Sequence, residues 1–362
     1  MLGKKVFIML SGGVDSSVAA ADLYDAGYEV HGVFMQCWSQ IQLAKLGLDP
    51  ADYACAWEED SADAALVAQK LGISFEVWDF QEEYLQNVVK YMVNEYAIGK
   101  TPNPDVMCNS SIKFGVFYDR ALAAGADFVA TGHYARSIIA QDGSRELWRG
   151  KDVNKDQSYF LWRIGYTQLQ HSLFPIGEYL TKSDVRARAT KIGLITATKP
   201  DSQGICFIGD TPLREILLKV LGSKQGNIVD TDGNVLGSHR GAFLYTIGQR
   251  EGLGMGGGPW FVQSISVEEN QVVVVHDTQK SKLDSLTLVA HSPNWLLPDF
   301  APQSEFSATA QIRYRQHAEN CSVTQKNNLL HVTFEKPVHS ITTGQSLVLY
   351  KDDQVIGGAI IQ

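Results

Sequence analysis

The chain has no long apolar run. Of its 362 residues, 44% are hydrophobic, enough to fill real cores and to make disorder unlikely on composition. No uninterrupted stretch reaches the roughly 18 residues that span a bilayer. The start, Met1-Leu2-Gly3-Lys4-Lys5, leads straight into a strand-like pattern, so no secretory leader is expected. Cysteines are few. There are five, an odd number and widely spaced, which excludes a secreted disulfide framework and suits a cytoplasmic protein with reduced thiols. None forms a Cys-x-x-Cys pair, so a zinc site is poorly supported. No segment repeats, which excludes a solenoid. Positive charge is also scarce: 31 Lys and Arg face 40 Asp and Glu, a net charge of −9. That balance looks wrong for a nucleic-acid partner until it is mapped. Residues 1–100 carry 6 basic and 15 acidic groups, the whole deficit, whereas residues 145–200 hold 10 basic against 5 acidic. The basic segment permits RNA contact without indicating it, and a solvated helical face explains the same charges.

A glycine loop at the start lacks two familiar endings. Met9-Leu10-Ser11-Gly12-Gly13-Val14-Asp15-Ser16-Ser17 follows the apolar run 6–10 and precedes the helix-like run 18–24. It has no Gly-Lys-Ser/Thr close, which excludes a Walker A mechanism. It has no Gly-x-Gly-x-x-Gly, so a dinucleotide fold is not the first choice. Strand, glycine turn and helix start still make an anion site, because glycines allow close backbone approach and unpaired N–H groups face the ligand. Ser11, Ser16 and Ser17 add hydroxyl donors. Asp15, inside such a loop, makes sense chiefly as a ligand to Mg²⁺. Ser-Gly-Gly-Val-Asp-Ser-Ser resembles the PP-loop of ATP pyrophosphatases, which cleave ATP between the α and β phosphates.

Further along, apolar runs predict strands at 28–35, 73–78 and 127–133. Helices are predicted at 61–71, 82–97 and from Ser110 or Ser111 to about 124, while 36–60 reads as irregular. Pro102 and Pro104 break the periodicity before the last of these. The alternation argues for a parallel, doubly wound α/β sheet with ligands beyond the carboxyl ends of its strands. That puts Met9–Ser17, Met35 and Gly132-His133 on one rim. Residues 155–200 look helical and basic, and 212–221 reads as a helix. A hairpin with an Asp-Gly turn spans 228–237, and five glycines crowd 252–258. From about 280 onward, short strands with turn signals predict a small antiparallel β-barrel. The expected domains are 1–203, an adenylating α/β domain; 204–278, a small mixed α+β domain; and 279–362, the barrel.

Two cysteines keep unusual company. Cys108 lies in Asn103-Pro104-Asp105-Val106-Met107-Cys108-Asn109, between a proline break and a helix start, where a thiolate is favoured and Asp105 could handle a proton. Cys206 lies in Gly204-Ile205-Cys206-Phe207-Ile208, whose apolar neighbours fit a buried thiol equally well, and taken singly a buried thiol is the better reading of either cysteine.

Collinear segments along the chain resemble the family of bacterial tRNA-specific 2-thiouridylases. They are Ser11–Ser17, Gly32–Met35, Thr101–Cys108 with Ile112-Lys113-Phe114, Ala130–Tyr134, Asn154–Leu161, Gly204–Gly209, Thr246–Arg250, Ile312–Arg315 and Thr343–Gln345. The resemblance implies conversion of the wobble uridine of tRNA to 2-thiouridine. ATP, with Mg²⁺, would activate the C2 oxygen as an adenylate. Cys206 would carry a persulfide from an upstream sulfur donor, and Cys108 would release its terminal sulfur, leaving a Cys108–Cys206 disulfide. Asp105 would act as acid/base at the target base. ATP contacts would map onto Met9, Leu10, Ser11, Gly12, Gly13, Val14, Asp15, Ser16, Met35 and Gly132. Contacts to the tRNA anticodon arm would map onto Asn103, Pro104, Asp105, His133, Lys155, Asp156, Gln157, Arg313, Tyr314 and Gln345. A monomer without membrane attachment is expected. Asn109-Ser110-Ser111-Ile112 departs from the family's usual Asn-Lys-Glu-Ile and removes a charge pair beside Cys108. Two other readings are an ATP-dependent ligase of the argininosuccinate or GMP synthetase type, which needs no cysteine pair, and a nucleotide-sensing RNA-binding module without turnover.

Overall fold

A computed structural model describes residues 3–49, 57–201, 213–297 and 305–362. The N-terminal strands are β1 (Lys5–Met9), β2 (Glu29–Gln36), β3 (Ser74–Asp79) and β4 (Phe128–Ala130). A hairpin of β5 (Ala135–Ile139) and β6 (Arg145–Arg149) follows, and then β7 (Ser172–Leu173). The first sheet runs β3-β2-β1-β4-β7, and every pairing in it is parallel. β1 is apolar from Val6 to Met9 because both of its faces are covered there. Phe7 and Met9 pack with Val33 and Trp78 on one side. Val6 and Ile8 pack with Val18 and Ala19 of α1 (Val14–Asp25) on the other.

The helices α2 (Gln40–Lys45) and α3 (Trp57–Leu71) lie within or overlap the stretch expected to be irregular. α4 (Gln81–Tyr84) and α5 (Lys90–Ala97) join through a π-helical turn at Leu85–Val89. The next helix differs from expectation. It begins at Pro104, not at Ser110 or Ser111, as α6 (Pro104–Met107), and continues through a π-helical stretch at Cys108–Val116 into α7 (Phe117–Ala123). Proline is disfavoured inside a helix but well suited to its first position, where no N–H is needed. The Asn103 side chain caps the start, accepting from Val106 N at 3.2 Å. Residues 155–200 are less helical than their composition suggests: short 3₁₀ turns surround α8 (Tyr166–Gln170) and α9 (Lys182–Lys191). α10 (Leu213–Leu221) leads into the central region.

There, β8 (Gly226–Val229), β9 (Val235–His239), β10 (Trp260–Ser266) and β11 (Gln271–His276) form a mixed sheet, ordered β10-β11-β8-β9. The β8–β9 pair is the expected hairpin, with Asp230 accepting from Asp232 N and Asn234 N at 2.9 Å in its turn. The C-terminal strands are β12 (Asp284–Trp295), β13 (Phe306–Gln311), β14 (Glu319–Lys326), β15 (Leu329–His339), β16 (Ser346–Lys351) and β17 (Gln354–Ile361). All pair antiparallel in the order β12-β15-β14-β13-β16-β17, and β12 pairs back to β17. Closure leaves no open edge within the six-stranded barrel.

The β5–β6 hairpin belongs to neither expectation. It sits on the barrel, with Leu147 and Trp148 of β6 opposite Val355 and Gln354 of β17, and Arg149 N donates to Asp353 O at 2.9 Å. A single core continues across this seam. Tyr159, Leu161 and Trp162 pack with Val348, Tyr350 and Val355 of the barrel and with Ile216 and Leu217 of α10.

Candidate functional site

The loop after β1 is built by backbone geometry. Leu10 N donates to Val33 O at 2.9 Å, which fixes the strand end. Gly12 takes a φ of +74°, and a β-carbon there would run into the Asp60 carbonyl, so a side chain fits neither the conformation nor the space. The hydroxyls fold inward: Ser16 Oγ and Ser17 Oγ donate to Gly13 O at 3.1 and 2.7 Å, and Ser11 Oγ lies 3.1 Å from Ser16 Oγ. Gly132, just past β4, closes on the same turn. A β-carbon there would lie 2.7 Å from Ser16 N and 2.9 Å from Asp15 C. Met9 ends β1 and Met35 is next to last in β2, at the carboxyl ends of the strands where a doubly wound sheet binds its ligands.

Asp15 is already engaged. Lys182 Nζ donates to both of its carboxylate oxygens at 2.8 Å, and Tyr134 Oη donates to Oδ1 at 2.8 Å. Lys182 also pairs with Asp201 at 2.8 Å, and Asp201 receives Lys155 at 3.0 Å and Arg186 at 2.9 Å. Desolvation pushes the Asp201 carboxyl up, but the hydrogen bonds and charges of Lys182 and Lys155 outweigh it and hold the group at about 2. Its folded value lies below its unfolded value of 3.8. The stabilisation is therefore present above the unfolded value and lost as pH falls through the folded one. The stability gap between wild type and Asp201→Asn is expected to shrink as pH drops from about 4 to about 2. Thermal melts of both proteins across that range check this.

For Mg²⁺, no group of three His, Cys, Asp or Glu side chains is placed to hold a metal among the described residues. A Mg²⁺ held by one carboxylate and substrate phosphates needs no such group, and Asp15 fits that role if it yields an oxygen from Lys182.

From Gly132 the site runs on without a gap. His133 is buried; Thr131 Oγ1 lies 2.7 Å from its Nδ1, and Lys113 Nζ lies 3.4 Å from its Nε2. Burial, and then the Lys113 charge, hold the imidazole well below its usual value, so it is neutral. Lys113 can only donate, which assigns the proton to Nδ1, facing Thr131. Lys113 lies in the π-helical stretch that starts at half-buried Cys108. Such stretches bring residues five apart near one another and occur often at functional sites. Because the helix starts at Pro104, Cys108 sits a turn inside it, where the terminal dipole field has largely decayed. Asp105 is open to solvent yet ringed by protein, and this desolvation raises its carboxyl while Lys113 opposes the rise.

The barrel closes the other side. Its 342–345 loop grips the segment before Asn103: Thr101 N donates to Thr343 O at 2.9 Å, and Gln345 Nε2 donates to Thr101 O at 2.9 Å and Pro102 O at 3.3 Å. Gly344, with a φ of +90°, lets the two backbones meet. Tyr314 packs tilted against Phe160, with ring centroids 4.4 Å apart, and the Phe160 carbonyl accepts from Asn109 Nδ2 at 3.1 Å. Arg313 donates to Thr342 Oγ1 at 2.7 Å and Ile247 O at 3.2 Å. Asn103, Pro104, Asp105, Tyr314 and Gln345 are thus brought together.

Asp156 and Gln157, also expected to contact tRNA, have internal partners as well. Asp156 is buried, with Arg149, Gly150 N, Ser158 N and Ser158 Oγ all bonded to its carboxylate. Gln157 Oε1 accepts from Tyr134 N at 3.0 Å. Cys206 lies outside the described residues. Sequence reasoning missed Tyr134, Lys113 and Lys182 as neighbours of the site. Lys113 was visible inside Ile112-Lys113-Phe114. Lys182 carried no signal, being 167 residues from Asp15.

Family models agree with this layout. One described as a tRNA methyl transferase HUP domain matches residues 4–210, a tRNA methyl transferase PRC-barrel domain matches 214–276, and an aminomethyltransferase beta-barrel domain matches 285–361. The tRNA-specific 2-thiouridylase MnmA of Francisella tularensis subsp. novicida (strain U112) is 42% identical over 368 residues, covering 100% of both chains. This chain belongs to the MnmA family of tRNA-specific 2-thiouridylases. The MnmA of F. tularensis subsp. holarctica (strain FTNF002-00 / FTA) matches at the same 42% over 100% of both chains. The models' names speak of methyl transfer and the relatives' of thiolation. Full-length identity is the more specific guide, and it makes the chain a sulfurtransferase enzyme rather than a PP-loop ligase or a sensing module. Among solved structures, a 4-thiouridine synthetase–RNA complex with bound ATP covers 60% of this MnmA-family chain and 50% of its own, at 16% identity and a TM-score of 0.36. That likeness is too weak to carry an argument. No described helix is long and apolar enough to cross a membrane.

Proposed function

We propose that this enzyme thiolates C2 of the wobble uridine in tRNA, using ATP to activate the oxygen. The observation that carries the proposal is the continuity from Gly132, packed on the Ser11–Ser17 turn, through His133 and Lys113 to the helix bearing Asp105 and Cys108. ATP enters the loop of Met9–Ser16, with Met35 and Gly132 on the rim. Mg²⁺, held by Asp15 and phosphate oxygens, would neutralise charge on the phosphates. The C2 oxygen takes the adenylyl group and pyrophosphate leaves, which turns a poor leaving group into AMP. Asp105, with its raised carboxyl, handles the proton at the base. The terminal sulfur of a Cys206 persulfide, loaded by an upstream donor, replaces the oxygen. Cys108 attacks the persulfide's inner sulfur, and a reductant resets the resulting Cys108–Cys206 disulfide.

The target base must leave the anticodon stack, at a cost of a few kcal/mol that is smallest in a single-stranded loop. Asn103, Pro104, Asp105, His133, Tyr314 and Gln345 suit its reception, and Lys155 and Arg313 suit the anticodon arm. The enzyme acts in the cytoplasm as a monomer. Incubation with unmodified tRNA, ATP, Mg²⁺, a persulfide donor and a thiol reductant, followed by mass spectrometry of nucleosides, tests the reading. The expected product is 2-thiouridine at the wobble position, with one pyrophosphate per thiolation. Thiolation elsewhere in the tRNA, or no pyrophosphate, would sink it.

A further inference from the structure

The Met9–Ser17 loop contains no Lys or Arg and contributes one carboxylate, Asp15. A triphosphate brings several negative charges to that carboxylate, and backbone N–H groups supply only partial positive charge. A Walker A loop meets this need with a lysine of its own. Here the cation arrives from elsewhere in the chain. Lys182 is the only cation that contacts Asp15 among the described residues, and its three ammonium donors go to Asp15 Oδ1, Asp15 Oδ2 and Asp201 Oδ1, each at 2.8 Å. Its side chain is 15% exposed, so the ammonium is held inside the site rather than at the surface.

The local chain is built to present it. Thr181 caps α9 in a reciprocal capping box with Asp184. Lys182 N donates to Asp152 Oδ2 at 3.1 Å, which anchors the backbone while the side chain turns to Asp15. A cation at the first position of a helix opposes the helix dipole. A position that served only α9 would favour the opposite charge there. Asp201 has two further cations, Lys155 and Arg186, so it remains neutralised when Lys182 shifts toward another anion. The long, flexible lysine stem allows that shift.

We propose that Lys182 is the phosphate-binding lysine that the loop lacks, contacting the β and γ phosphates of ATP and staying with the pyrophosphate as it leaves. Asp15 and Asp201 are positioning residues that hold the ammonium ready. This rests on the ATP reading given above and deepens it.

Equilibrium binding of ATP, AMP and inorganic pyrophosphate to the full chain separates the possibilities. In Lys182→Gln, affinity for ATP and for pyrophosphate is expected to fall roughly 10- to 100-fold, the worth of a hydrogen bond to a charged group. AMP, which lacks those phosphates, should bind within about twofold of wild type. Lys182→Arg should recover most of the loss. Equal losses for ATP and AMP would mean a structural role and overturn the proposal, as would unchanged pyrophosphate affinity. Wild-type protein that bound none of the three would overturn the ATP reading itself, and the proposal with it.

Discussion

Cys108→Ser is expected to lower 2-thiouridine formation by roughly 1000-fold or more, as removal of a catalytic nucleophile does, while ATP binding stays intact. A serine hydroxyl is nearly isosteric with the thiol but cannot exchange with a persulfide or form a disulfide. Lys113, His133 and Gly132 lie between Cys108 and the Ser11–Ser17 turn, so the substitution is expected to leave the turn's own bonds in place. Mass spectrometry of tRNA nucleosides reads the loss, and nucleotide titration reads what is retained. Thiolation by the variant at the wild-type rate would remove Cys108 from the mechanism.

The largest effect on stability is expected at Trp162. The indole is 0% exposed, and Gly358 of β17 lies flat against it, where a β-carbon would come within 2.7 Å of Cδ2. Asn294 Nδ2 of β12 donates to the carbonyls of Trp162 and Ile164 at 2.7 and 2.9 Å. The residue therefore joins the N-terminal unit to the barrel by packing and by backbone. Trp162→Ala is expected to cost about 3–5 kcal/mol, from lost burial and the cavity left behind. Trp162→Phe should cost much less, because the buried Trp162 Nε1 has no hydrogen-bond partner among the described residues, and phenylalanine removes that unsatisfied donor. Urea midpoints of both variants distinguish the cases, and an alanine variant as stable as wild type would contradict this account of the seam.

Where local pattern and tertiary demand coincide, the sequence was legible. The apolar run of β1, the loop with its glycines and the period-two strands of the barrel were all readable, because each is dictated by burial on a known face. Pro104 was misread because a helix breaker and a helix starter are the same residue at different positions. The β5–β6 hairpin was missed although Asp142-Gly143 marks its turn, with Ser144 N donating to Asp142 Oδ1 at 2.9 Å. Its isolated pattern does not reveal that its partner strand lies some 200 residues later. Asp156 looked like a surface contact because charge alone does not show that four donors surround it inside the protein. Lys182 was invisible for the converse reason: a lysine at a helix start reads as solvated until the fold brings Asp15 to it.

The strand pairing of β6 with β17 has a consequence for how such proteins diversify. The barrel borrows two neighbouring strands from a segment more than 130 residues upstream of its own start, and its core is shared with the residues that follow that hairpin. It is therefore not a cassette that recombination can exchange alone. A foreign barrel would arrive without its matching hairpin and would leave β6 and the Gln354–Val355 start of β17 without their partners. Inheritance has to carry the N-terminal unit and the barrel as a matched pair, so the two drift together.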